Sequence, residues 1–206
     1  MPMNIKIIDY DMGNVHSVQN ALTFLGYESS LAVDASSIHE ADCLILPGVG
    51  AFEDGMVSLH KKKMIEPLKE AFVRGKKILG ICLGMQLLLD KSYEMGEHVG
   101  LGFIKGEVTR FSFDSEGLKI PHMGWNSLDI SKKDPIFENL PETPYVYFVH
   151  SYHVKITDES LILATTHYGK PFCSAFKSGQ TYGLQFHPEK SQEVGLKILK
   201  NFLENT

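Results

Sequence analysis

Lys77-Ile78-Leu79-Gly80-Ile81-Cys82-Leu83-Gly84-Met85-Gln86-Leu87-Leu88-Leu89 is the stretch on which the reading of this chain turns. An apolar run ends in a cysteine boxed by glycines, and an apolar, helix-compatible run follows at once. That is the pattern of a strand turning sharply into a helix with one side chain held at the corner. Gly80 and Gly84 supply the small size and backbone freedom such a corner requires. The helix that follows would aim free N–H groups and its positive dipole end at the sulfur, and both favour the nucleophilic thiolate. Without the glycines Cys82 would read as a small buried hydrophobe, as most free cysteines do.

On the N-terminal side, Ile5-Lys6-Ile7-Ile8-Asp9-Tyr10 reads as a buried strand, and Val15, Val18, Leu22 and Leu25 recur at helical spacing before Gly26. A short strand at Ser30–Val33 and a strand at Asp42–Leu46 follow, the second stopping at Pro47-Gly48-Val49-Gly50. One or two helices fill Phe52–Arg74, and Ile78–Ile81 is again strand-like. This alternation predicts an α/β fold, a mostly parallel sheet flanked by helices. The C-terminal half instead offers seven strand candidates with short turns, read as added antiparallel strands: Val108–Phe113, Asn126–Ile130, Tyr145–Val149, Val154–Ile156, Leu161–Thr166, Phe172–Lys177 and Thr181–Phe186. Val194–Leu203 closes the chain as an amphipathic helix. With no repeat or linker, one domain over residues 1–206 is expected.

The 206 residues are 43% hydrophobic and 22% charged, with net charge −5. This is ordinary for a folded domain with a sizeable core. The balance gives no electrostatic case for nucleic acid or an anionic membrane, and Lys61-Lys62-Lys63 reads as a solvated helix face or end. Cys43, Cys82 and Cys173 form neither a disulfide framework nor a zinc pattern, which suits a reducing, cytoplasmic compartment. The first residues lack a signal-peptide layout, and no run approaches the ~18–20 apolar residues of a membrane span.

In open α/β sheets, sites form outside the carboxyl ends of the strands. Three loops there carry chemistry: Cys82, Pro47-Gly48-Val49-Gly50, and Gln185-Phe186-His187-Pro188-Glu189-Lys190. On an extended segment His187 and Glu189 point the same way, and Pro188 is expected to keep that segment extended. The carboxylate can then orient one ring nitrogen and leave the other to serve Cys82, a Cys–His–Glu triad. The glycine-rich turn lacks the Lys-Ser/Thr tail of a phosphate loop. It suits an oxyanion hole, where the N–H groups near Val49 and Gly50 join that of Leu83. Glycines on both sides of Val49 leave its peptide free to turn toward or away from the oxyanion, so the hole is expected to be only conditionally complete. Asp9 and Asp11 could mimic a metal or ribose site, but the Met-Gly-Asn turn beside them suits a loop.

Gly80-Ile81-Cys82-Leu83-Gly84-Met85-Gln86 together with His187-Pro188-Glu189 resembles the class I glutamine amidotransferases of the triad type, along essentially the whole chain. The resemblance implies a flavodoxin-like sheet, glutamine as substrate, and no cofactor or metal. It implies that Cys82 is the nucleophile, His187 the general acid and base, and Glu189 the residue that orients His187. Gly50, Gln86, Ser151 and Tyr152 match positions that hold glutamine, the last two largely through backbone. Pro121-His122-Met123-Gly124-Trp125-Asn126, Tyr147-Phe148-Val149-His150-Ser151-Tyr152 and His187-Pro188-Glu189-Lys190-Ser191 are similar to the branch of that family serving histidine biosynthesis. There a glutaminase passes ammonia to a cyclase subunit, a (β/α)8 barrel. Asn14, Met123, Trp125, Tyr147 and Lys190 match positions facing that barrel. Fused relatives continue into the cyclase whereas this sequence ends at Thr206, so a heterodimer with a separate cyclase chain is expected. The competing readings are a glutaminase for another synthase (pyridoxal phosphate, anthranilate or guanylate) and a free-standing cysteine hydrolase of related fold. The Trp125 block and Lys190-Ser191 count against the first, and the His-Pro-Glu loop against the second.

Overall fold

The β-branched run near the start forms strand β1 (Ile5–Ile8) in a computed structural model that describes residues 3–113 and 117–205. Helix α1 (Val15–Phe24) follows, capped by Asn14, whose Oδ1 accepts the Ser17 N–H at 3.1 Å. Then come β2 (Ser29–Ala32), α2 (Ala35–Glu40), β3 (Cys43–Leu46), α3 (Phe52–Lys61), α4 (Ile65–Val73), β4 (Lys77–Ile81) and α5 (Leu83–Leu87). Helix α2 is absent from the sequence reading. It buries only Ile38, so periodicity gives no signal, and it is held by a reciprocal cap between Asp34 and Ser37.

The apolar run after Cys82 looks helix-compatible through Leu89, yet α5 stops at Leu87 and β5 (Leu89–Ser92) begins two residues later. Tertiary hydrogen bonds end the helix. The carbonyls of Leu87, Leu88 and Leu89 accept the N–H groups of Leu101, Phe103 and Gly102 at 2.8–3.0 Å. Strands β6 (His98–Val99), β7 (Ile104–Arg110), β8 (His122–Ser127), β9 (Asp129–Ile130), β10 (Tyr145–His150), β11 (Tyr152–Ile156), β12 (Ile162–Tyr168), β13 (Lys170–Ser178) and β14 (Thr181–Leu184) follow, then helix α6 (Gln192–Asn205). Among the described residues no helix is long and apolar enough to cross a membrane.

The main sheet runs β2-β1-β3-β4-β14-β13-β12-β9. Its first five strands are parallel and the remaining pairs antiparallel. Alternating side chains serve two cores. Ile7, Ile45 and Leu79 pack with α1 and α6, through Val18, Leu22, Ile198 and Phe202. Ile8, Leu44, Leu46 and Ile78 face α2, α3 and α4, through Ile38, Leu59 and Leu68. A second sheet runs β11-β7-β5-β6, and β8 with β10 forms a separate two-stranded ribbon. Because β3, β4 and β14 are neighbours, with Gly80 opposite both Leu46 and Gly183, the three chemically loaded loops leave the sheet side by side.

Candidate active site

Cys82 is the single residue between β4 and α5, with φ 53° and ψ −111°. A non-glycine residue held there carries about 1–3 kcal/mol of strain that its surroundings must sustain. Close approach of the chain sustains it. A Cβ on Gly84 would lie 1.8 Å from the Leu46 carbonyl oxygen, so only glycine lets α5 sit against β3. The Cys82 N–H donates to the Leu184 carbonyl at 2.8 Å. Gln185 Nε2 donates to the sulfur at 3.8 Å.

His187 follows β14 and donates its Nδ1–H to Glu189 Oε1 at 2.7 Å, with both side chains sealed from solvent at 3% and 2% exposure. The sequence reading has Pro188 keep this segment extended. The structure instead puts Pro188–Lys190 in a 3-10 turn, with proline at its first position. The fixed φ of proline suits a helical first position as well as an extended one, and the turn brings Glu189 back to the ring. Burial opposes a charge on His187, but the Cys82 sulfur and the Glu189 carboxylate outweigh it and raise its pKa well above the ordinary imidazole value. Among the described residues its Nε2 is buried and makes no hydrogen bond, which leaves that nitrogen to the sulfur. Strand β10 clamps this loop. The His187 N–H donates to the Tyr147 carbonyl, the Tyr147 N–H to Ser191 Oγ, and the Ser191 hydroxyl to the His187 carbonyl, at 3.0, 2.9 and 2.6 Å.

These groups open onto a cavity of about 430 Å³. Of the residues singled out in the sequence, Val49, Gly50, Cys82, Leu83, Gln86, Ser151, Tyr152 and His187 line it. Glu189 stands outside this lining, bonded to His187. The Gln86 amide donates to the Tyr152 carbonyl at 3.0 Å and to Gln185 Oε1 at 3.1 Å, which ties α5 to β11 and β14. Glu94, Pro121, Val149 and His150 also line the cavity and were not among the predicted contacts. Glu94 sits beyond β5, and its Oε2 accepts the Phe52 N–H at 2.8 Å. Its loop carries no motif. Only the turn from α5 into β5 brings it back to the site.

The expected oxyanion donors do not converge in this state. The Val49 N–H donates to the Met12 carbonyl at 2.7 Å, and the Leu83 N–H to the Gly48 carbonyl at 3.3 Å. Gly50 next to Val49 has φ 98°, a conformation L side chains rarely adopt. The five residues expected to face a partner are distributed around this end of the molecule. Met123 and Trp125 alternate on the outer face of the ribbon, 66% and 47% exposed, with Tyr147 paired across from Trp125. Lys190 is exposed at the end of the 3-10 turn, and Asn14 is exposed while capping α1. Cys43 and Cys173 are core residues, and burial pushes the Cys43 thiol up to about 12.

A thiol at a strained corner, beside an imidazole oriented by a buried carboxylate, is equipped for acyl transfer through a thioester. The chain belongs to the class-I glutamine amidotransferase family, whose model matches residues 6–206. It is 52% identical over 200 residues to the imidazole glycerol phosphate synthase subunit HisH of Sulfurimonas denitrificans, 96% of each chain being covered. It is 49% identical over 201 residues to the same subunit of Aquifex aeolicus, covering 97% of this chain and 96% of the relative. Among solved structures it resembles PurLQS from Thermotoga maritima, with a TM-score of 0.77 at 23% identity over 98% of each chain. A further glutamine amidotransferase gives 0.76 at 19% identity over 97% of each. These two likenesses bear on the fold.

Proposed function

We propose that the chain is the glutaminase subunit of an imidazole glycerol phosphate synthase in histidine biosynthesis. The observation that carries the reading is the sealed His187–Glu189 pair beside a cysteine held at φ 53° in a cavity, in a chain about half identical to curated HisH subunits. Cys82 attacks the side-chain amide carbon of glutamine. His187 delivers its proton to the leaving nitrogen, so ammonia departs and a glutamyl thioester remains. His187 then takes a proton from water, which attacks the thioester to release glutamate and regenerate the thiolate–imidazolium pair. Glu189 keeps Nδ1 protonated and Nε2 directed at the chemistry. Gly50, Gln86, Ser151 and Tyr152 hold glutamine. Glu94 supplies the carboxylate that a substrate ammonium needs in a half-buried site.

The N–H groups of Val49, Gly50 and Leu83 take up the oxyanion once the Val49 peptide turns. The partner is a (β/α)8 cyclase chain in a heterodimer. It uses the ammonia to form imidazole glycerol phosphate and aminoimidazole carboxamide ribotide. Asn14, Met123, Trp125, Tyr147 and Lys190 face it, and Lys190 pairs with a carboxylate on the barrel. The outward Met123 and Trp125 support this assignment, because large exposed apolar side chains grouped on a ribbon suit an interface. The test is ammonia release from glutamine by the chain alone, with the cyclase, and with the cyclase plus its nucleotide substrate. Weak activity alone, strong stimulation in the full mixture and abolition by Cys82→Ala are expected. High constitutive activity without a partner overturns the synthase assignment.

A further inference from the structure

At the wall of the cavity, on the inward face of the ribbon, two buried histidines belong to no step of the proposed chemistry, and one of them, His150, lines the cavity itself. His122 on β8 and His150 on β10 are 3% and 6% exposed. They stand directly opposite one another in the antiparallel register, and His122 Nδ1 lies 3.0 Å from His150 Nε2. His150 Nδ1 lies 2.8 Å from the Tyr152 carbonyl, and His122 Nε2 lies 3.3 Å from Asn126 Nδ2. The Asn126 amide is itself oriented, since its Oδ1 accepts the Ser127 N–H at 2.9 Å and its Nδ2 donates to the His167 carbonyl at 3.0 Å.

Those partners leave one arrangement of protons. A carbonyl only accepts, so His150 carries its proton on Nδ1 and its Nε2 accepts. His122 must then donate from Nδ1 and accept at Nε2, where the Asn126 amide supplies the hydrogen. The result is a one-way chain from Asn126 through His122 and His150 to the Tyr152 carbonyl. A second proton on either ring would set two donors face to face. Burial keeps both rings neutral, holding His122 down at about 4 and His150 at about 3. His122 is further fixed between the rings of Phe148 and Tyr168, at centroid distances of 4.8 and 4.1 Å.

The chain ends where the substrate pocket begins. Ser151 is a bend between β10, in the ribbon, and β11, in the second sheet. The His150 side chain spans this bend to the Tyr152 carbonyl, which also accepts the Gln86 amide, while the Ser151 carbonyl accepts the Phe111 N–H at 3.1 Å. We infer that His122 and His150 are positioning residues for glutamine, a pair locked in one tautomer that fixes the Ser151–Tyr152 bend and ties it to the outward-facing ribbon. The inference rests on the glutamine reading above. Docking on Met123 and Trp125 would then reach the pocket through the alternate residues of the same strand.

Two measurements on the full chain test it. In the wild-type protein, nitrogen chemical shifts of labelled histidine report the tautomer. Both His122 and His150 are expected with the proton on Nδ1, and the Nε2–H form at either position overturns the inference. The second measurement compares labelling of Cys82 by a diazoketone analogue of glutamine with labelling by iodoacetamide, which needs no pocket. His150→Leu is expected to slow the analogue roughly 10-fold, the scale of one lost buried hydrogen bond, with iodoacetamide within about twofold. His150→Asn keeps a donor toward Tyr152 and is expected to recover most of the loss. His122→Phe keeps the ring volume but frees the tautomer, and is expected to slow the analogue as well. Equal slowing of both probes, or none, overturns the positioning role. A wild-type chain that the analogue labels no faster than iodoacetamide overturns the glutamine reading itself.

Discussion

The Val49 N–H donates to the Met12 carbonyl at 2.7 Å, so an amide proposed to receive the oxyanion is committed to the chain's own backbone. Releasing it means rotating the Gly48–Val49 peptide, next to the turn at Gly50. Gly50→Ala puts a methyl on a residue at φ 98°, 3.0 Å from the Met12 side chain. Partner-stimulated ammonia release is expected to fall on the order of 100-fold, the scale of a lost oxyanion donor. Alkylation of Cys82 by iodoacetamide stays near wild type. Undiminished stimulation in this variant would show that the turn does not need glycine there.

The raised pKa of His187 has a definite sign. The folded state favours imidazolium, so this contribution to stability is complete below the ordinary value of 6.5 and fades as pH rises through the folded-state pKa. Cys82→Ala removes the sulfur's share while the burial penalty stays. The His187 pKa should therefore drop, and proton NMR titration of the histidines reads it directly. An unchanged value would mean that Glu189, and not Cys82, is what offsets the burial.

Glu189→Gln keeps the shape of the 2.7 Å contact but allows an amide N–H to face Nδ1 and invert the tautomer. Ammonia release should fall by about 10²–10⁴-fold, with glutamine KM little changed. A fall in kcat smaller than tenfold would assign the carboxylate a structural part only.

Gly84→Ala would drive a methyl into the Leu46 carbonyl. Backbone against backbone has little room to yield, so a loss of about 3 kcal/mol is expected, a Tm lower by roughly 6–12 °C. Thermal melts monitored by circular dichroism measure it, and a Tm within about 2 °C of wild type would show that α5 can lift off β3.

Trp125 is nearly half exposed and contacts Tyr147 edge-on at 6.0 Å. Trp125→Ala should leave the Tm of the free chain almost unchanged while weakening cyclase binding at least about tenfold, as loss of an aromatic anchor does. Calorimetric titration with the cyclase separates the two effects.

The alternating strands and helices of the first half were legible because apolar periodicity and glycine punctuation are local signals. The Cys82 corner was legible for the same reason. Helix α2 was not, since a six-residue helix burying one side chain has no period to detect. The end of α5 was not, because the carbonyls of Leu87 to Leu89 are taken by N–H groups from a later loop.

Residue type and spacing already mark the groups that could do chemistry: a cysteine between glycines, a histidine two residues from a glutamate, and a glycine-rich turn after a strand. Tertiary structure alone decided that Glu94 enters the cavity, that Val49 is held by Met12, and that His122 meets His150 across the ribbon. Each of those depends on which strands lie side by side and on where a backbone N–H finds its acceptor, and long-range pairing leaves no mark in local sequence.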